Sequence, residues 1–252
     1  MFSLTYCWQA NYQRERVRST MTRMRKTSPP RRLSETAPVP KDVPEPRWPA
    51  FVAVLAAVGL YTALPDTLTF GPQWLFPGLV LALLTPTVIS HHTGHHRINV
   101  LCGIAVVSVL TLGLIISVGL LVTALPERIE PPIDLLRSAA FLWATTILVF
   151  ALWYWRLDAG GPHQRDKRAG HPDGAFLFPQ MTLSQRAIRE AQQQEWSPNF
   201  VDYLFLAFTT STAFSPTDTP ALQRWAKLLM MLQSLLSLLI LVLLAARAVN
   251  IL

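Results

Sequence analysis

Residues 100–125 read VLCGIAVVSVLTLGLIISVGLLVTAL, with no charged side chain across 26 positions. A bilayer core of roughly 30 Å needs about 20 helical residues at about 1.5 Å each. The stretch therefore spans with residues to spare. A second block, LLMMLQSLLSLLILVLLAA at residues 228–246, is uncharged over 19 positions. Shorter apolar segments lie at about 48–64, 74–90 and 138–155. Pro65-Asp66, Gly71-Pro72 and Pro126 punctuate them as helix breakers do. The expected fold class is all-α, a polytopic transmembrane helix bundle of about six membrane segments.

Hydrophobic residues make up 51% of the chain and charged ones 15%, below the roughly 25% charged of soluble domains. The formal charge of +7 is concentrated in the tail, because ten Lys/Arg and four Asp/Glu precede Trp48 while the remainder holds twelve against eleven. A basic tail before a first span sets topology and touches anionic headgroups. Specific nucleic-acid recognition would want a folded basic face or stacking aromatics, so no nucleic acid is expected as a partner. Residues 1–46 are rich in Arg, Ser, Thr and Pro and are expected to form a disordered cytoplasmic tail. They lack the apolar run of a secretory leader. Cys7 in the tail and Cys102 within a span give no disulfide.

If the N-terminus is cytoplasmic, the tail and the loops after the second and fourth spans carry ten, one (Arg97) and six Lys/Arg. The loops after the first and third carry none and two (Arg128, Arg137). That asymmetry obeys the positive-inside rule. Four spans are expected over residues 47–156, then a cytoplasmic loop at 157–199 and a short membrane segment plus final span at 200–252. Trp153-Tyr154-Trp155 with Arg156 reads as an interfacial aromatic belt, and Gly160-Gly161-Pro162 as a helix stop. Within the loop, Leu183, Ala187, Ile188 and Ala191 share a helical face. They suggest a short interfacial helix at 183–196, anchored by Trp196.

Residues 200–214 are the exception. As a helix they reach only about 22 Å, so they either cross with local thinning or dip in as a half-helix. The crossing, a sixth span, is the primary expectation; it would put Arg224 and Lys227 on the outer side, against the charge rule.

Two constellations are candidates for chemistry. His91-His92-Thr93-Gly94-His95-His96 offers i, i+4 pairs that can chelate a metal. Gly94 interrupts the helix, however, and no carboxylate or thiolate nearby in sequence completes a three-ligand set. The other is Asp202-Tyr203-Leu204-Phe205-Leu206-Ala207-Phe208-Thr209-Thr210-Ser211-Thr212-Ala213-Phe214, followed by Pro220 and a long apolar helix. Over about residues 202–244 this order resembles the pore-loop module of two-helix potassium-channel subunits. Consecutive hydroxyls cannot all face lipid, and a carboxylate at the mouth of a short segment needs a polar neighbour. Asp202, Thr209, Thr210, Ser211, Thr212, Phe214 and Asp218 are therefore the candidate solute path. The alternative is that the hydroxyls bond back to carbonyls of their own helix and Asp202 sits in the headgroup layer. Ser211-Thr212-Ala213-Phe214 lacks filter glycines, and Asp218 is displaced from the acidic position after such a filter, so potassium selectivity is not implied.

The stretches Trp153-Tyr154-Trp155-Arg156-Leu157-Asp158-Ala159-Gly160-Gly161-Pro162, Phe178-Pro179-Gln180-Met181, Thr212-Ala213-Phe214-Ser215-Pro216-Thr217-Asp218 and Ala245-Ala246-Arg247-Ala248-Val249-Asn250 resemble a group of bacterial polytopic membrane proteins. That resemblance implies an inner-membrane location and no particular activity.

Small residues inside spans (Gly103, Gly113, Ser117, Gly119) suit close helix packing. Gln233, Ser234 and Ser237 either pack or line a polar path. No Ser-His, Cys-His or His-Glu arrangement sits at membrane depth, so no enzyme is expected. Neither is a cofactor. The expected partner is the lipid bilayer; a homo-oligomer is left open, and no solute or ion is named. A channel- or transporter-like role is the leading expectation, with a structural or partner-binding membrane protein as the alternative.

Overall fold

The computed structural model describes residues 45–93, 96–127, 132–167, 174–183, 196–212 and 219–251. Among them the architecture is all-α. Six principal helices follow in order: α1 (Trp48–Thr62), α2 (Leu75–Thr93), α3 (His96–Glu127), α4 (Pro132–Leu157), α5 (Phe200–Thr212) and α6 (Arg224–Ile251). A one-turn helix, Pro162–Arg165, follows α4. Three helices are long and apolar enough to cross a membrane, within α3, α4 and α6; α1 and α2 are shorter apolar helices. Large apolar side chains such as Leu55, Leu112, Ile115, Leu235 and Val242 are exposed along them. That is the surface a helix presents to lipid rather than to water.

The helix ends follow local chemistry. Proline lies in the first turn of α1, where its missing N–H costs nothing. α4 has Asp134 in its first turn and Arg156 in its last, matching the helix dipole. The chain leaves α4 through three consecutive positive φ values, Ala159 at 49°, Gly160 at 80° and Gly161 at 89°. The expected glycine stop is present, and an alanine shares it. Asn199 and Asp202 cap α5 reciprocally: Asn199 Oδ1 accepts from Val201 N at 2.9 Å, and Asp202 Oδ2 accepts from Asn199 N at 2.8 Å. This is a capping box.

α4 is the centre of the bundle, packed against α1, α3, α5 and α6, while α2 packs on α3. Leu142, Val149, Phe150 and Tyr154 on α4 are fully buried, with Leu110 and Leu114 of α3, Leu206 of α5 and Ile240 of α6. The glycines of α3 admit side chains of neighbouring helices. A Cβ at Gly103 would overlap the Arg156 guanidinium, and one at Gly113 would overlap the Phe76 ring.

α5 and α6 begin at the same end of the bundle. Tyr203, in the first turn of α5, bonds Asp158 just beyond α4. Trp225, in the first turn of α6, lies 6.1 Å ring to ring from Phe176, and Phe176 in turn packs 6.4 Å from Tyr203. Leu222 N donates to Ala175 O at 2.7 Å, and Leu177 N to Pro220 O at 3.1 Å, around an isolated antiparallel bridge between Phe176 and Ala221. Deeper in, Ala207 and Ser211 meet Gln233, and Ser211 meets Ser237. The two helices therefore run side by side in the same direction. A sixth crossing would have put the start of α6 at the opposite end from the start of α5. Periodicity could not distinguish these cases, since a half-helix and a short span have the same apolar pattern.

The sequence boundary of the tail also differs from the structure. Glu45, expected within the disordered tail, is buried against α4. A carboxylate among prolines carries no apolar signal, and its burial depends on a partner 120 residues away.

Candidate functional site

The stretch 153–162 organises two buried polar clusters along α4. The outer one lies at the α4 C-terminus. Asp158, fully buried, accepts from Ala175 N at 2.5 Å and from the Tyr203 hydroxyl at 2.6 Å. Arg165 donates from Nη1 to the carbonyls of Trp155 and Asp158, both at 2.9 Å, and from Nη2 to Glu45 Oε2 at 2.7 Å. Glu45 Oε1 also accepts from Trp155 Nε1 at 2.5 Å. The Arg165 guanidinium stands 5.1 Å over the Tyr203 ring. Burial pushes the Glu45 carboxyl above the ordinary carboxylate range, and the Arg165 charge with its hydrogen bond pulls it part of the way back. On the rim, Asp166 accepts from Arg47 Nη2 at 2.9 Å and from Glu45 N at 3.1 Å.

The inner cluster joins α4, α5 and α6. The Tyr154 hydroxyl donates to Gln233 Oε1 at 2.5 Å. Gln233 Nε2 donates to Ala207 O at 2.6 Å and to Ser211 Oγ at 2.7 Å, and Ser211 and Ser237 share a 2.9 Å hydroxyl contact. Tyr154 and Gln233 are fully buried and Ser211 and Ser237 nearly so. The amide of Gln233 spends both hydrogens on α5, so α5 is fastened to the bundle at its far turn as well as at its cap.

The residues expected from sequence to line one path are dispersed. Asp202 caps the start of α5, whereas Thr209–Thr212 close its end, about 10–15 Å further along the helix. Thr210 donates to Leu206 O at 2.7 Å, Thr209 to Phe205 O at 3.0 Å and Thr212 to Phe208 O at 2.9 Å. These are bonds back to the preceding turn. Only Ser211 of this run reaches another helix through its side chain. Phe214 and Asp218 lie outside the described residues. So does His95; His91 and His92 close α2 and His96 opens α3, with their side chains outside the description. Among the described residues no group of three His, Cys, Asp or Glu side chains could hold a metal. Of the interfacial helix expected at 183–196, residues 184–195 are also outside; its anchor Trp196 packs 5.8 Å from Phe178, ring to ring.

The aromatic belt read from 153–155 needs correction. Tyr154 and Trp155 are buried, and each polar tip bonds protein: Trp153 Nε1 donates to Thr111 Oγ1 at 2.8 Å, and Trp155 to Glu45. Arg156 turns inward too, donating from Nη2 to Asn99 O at 2.8 Å. The signal available in sequence was the polar content of α6, Gln233 and Ser237 in an otherwise apolar run. Their partners on α4 and α5 carried no mark.

No family model, curated protein or solved structure matches the chain.

Proposed function

We propose that the chain is a bacterial inner-membrane protein of channel- or transporter-like type, with five crossings, a cytoplasmic N-terminus and α5 as a re-entrant half-helix. The observation that carries this reading is the common starting end of α5 and α6. At about 20 Å, α5 is too short for a bilayer core of roughly 30 Å, and its neighbour α6 starts again from the same level. With five crossings, Arg224 and Lys227 join Arg47, Arg165 and Lys167 on the cytoplasmic side, which removes the conflict with the charge rule.

A half-helix that ends within the membrane places the negative end of its dipole there. Broken helices of this kind serve ion sites in transporters and channels. The class of solute favoured is therefore a small cation, met by the last carbonyls of α5 and the hydroxyls of Thr209 and Thr212. Asp202, occupied as a cap, is not part of that end.

A structural or partner-binding role is the second reading, favoured by the closed contacts among Tyr154, Gln233, Ser211 and Ser237. Purified protein in liposomes separates the two. The first reading expects passage of small monovalent cations above empty liposomes, reduced by T212V. A flat response across a broad panel of ions and solutes leaves the second.

A further inference from the structure

A cavity of about 80 Å³ opens between α1, α2, α3 and α4, at the bundle end where α1 starts and α4 stops. Its depth is apolar, lined by Val54, Leu84, Val106 and Leu152, and Arg47 and Arg156 stand among its lining groups. Arg47 has a carboxylate, Asp166. Arg156 has none among the described residues: its hydrogen-bond partner is the Asn99 carbonyl, its guanidinium lies 5.9 Å from the Trp155 ring, and its Nε is buried without a hydrogen-bond partner. Arg156 is half-buried, and a cation drawn out of water without a counter-charge is costly. Residue 103 beside it is glycine, and any Cβ there would displace the guanidinium.

We propose that this cavity binds an anionic phospholipid, with an acyl chain in the apolar depth and the phosphate on Arg156. The pairing of an apolar slot with a cation at its rim fits an amphiphile better than a free ion. Its place at the helix ends is the depth of the headgroup layer, where such lipids are abundant on the cytoplasmic leaflet. The inference stands whether or not α5 serves a solute path, since no lining residue of the cavity belongs to α5.

The test uses the full chain in a non-ionic detergent, titrated with phosphatidylglycerol, phosphatidylcholine, a fatty acid or inorganic phosphate, with native mass spectrometry and thermal unfolding as readouts. Phosphatidylglycerol should remain bound and raise the unfolding temperature, and phosphatidylcholine should do so far less. R156Q should weaken phosphatidylglycerol binding at least about tenfold, the scale of one lost charge-assisted contact, with R156K recovering part of it. V54F, which fills the slot and leaves Arg156 in place, should weaken it too and guards against a folding defect in R156Q. Equal retention of the two phospholipids, or unchanged binding in a folded R156Q, overturns the proposal. Binding of fatty acid or inorganic phosphate as tight as that of phosphatidylglycerol overturns the lipid assignment.

Discussion

The Tyr203 hydroxyl donates to Asp158 Oδ2 at 2.6 Å, joining the first turn of α5 to the residue just past α4. Both side chains are fully buried, and the bond fixes which end of the bundle α5 enters from. Removing the hydroxyl with Y203F deletes a hydrogen bond to a buried carboxylate. A loss of about 1.5–3 kcal/mol in unfolding free energy is expected, measured by thermal or denaturant unfolding in detergent. An unchanged midpoint would show that the bond does not hold α5 at this end.

Gln233 is the second fastening. Q233L leaves the Tyr154 hydroxyl and the Ala207 carbonyl without their shared partner, and Y154F removes one of the same bonds. The pair should be coupled by about 0.5–3 kcal/mol in a double-mutant cycle. Additive effects would mean that α4 and α5 are not linked through the amide.

The tail boundary makes a prediction by truncation. A chain beginning after Lys41 keeps Glu45 and should unfold like the full chain, whereas one beginning at Arg47 leaves Arg165 buried without its carboxylate. Breaking that pair, by truncation or E45A, should cost about 3–5 kcal/mol. The pH dependence has a definite sign. Burial raises the folded pKa of Glu45 above its ordinary 4.5, so between those two values the folded state binds more protons than the unfolded state. Stability conferred through this group is full below 4.5 and declines as pH rises through the folded value. E45Q should flatten that decline in unfolding midpoints measured across the window.

Much of the bundle was legible because hydropathy needs no partner: an uncharged run of 26 residues spans wherever it is placed. Tyr154, Asp158 and Glu45 were not legible in that sense, since each is buried by virtue of a group 45 to 120 residues away. Trp153 and Trp155 were misread for the same reason. An indole at a helix end looks alike whether its N–H meets water or a buried acceptor. The hydroxyls of Thr209, Thr210 and Thr212 follow the alternative expected from sequence, bonding back to carbonyls of their own helix.

The exit from α4 gives two substitutions of opposite sign. Ala159 holds φ at 49°, a left-handed conformation that costs an L-residue about 1–2 kcal/mol, partly offset by the greater unfolded-state freedom of glycine. A159G should therefore stabilise by about 0.5–1 kcal/mol. G161A should destabilise by more than about 1 kcal/mol, because its Cβ would lie 2.8 Å from the Arg156 carbonyl oxygen at a φ of 89°. Unfolding midpoints that shift in the same direction for both would contradict this geometry.

Sidedness tests the re-entrant half-helix most directly. Single cysteines are introduced as S197C, just before α5, and Q223C, just before α6, with D66C as the opposite-side reference, in a C7S and C102A background. Each is exposed to a membrane-impermeant maleimide in intact cells and in inverted membrane vesicles. The common starting end of α5 and α6 predicts labelling of both S197C and Q223C in inverted vesicles alone, and of D66C in intact cells. Labelling of S197C and Q223C from opposite sides would make α5 a true crossing and contradict the re-entrant half-helix.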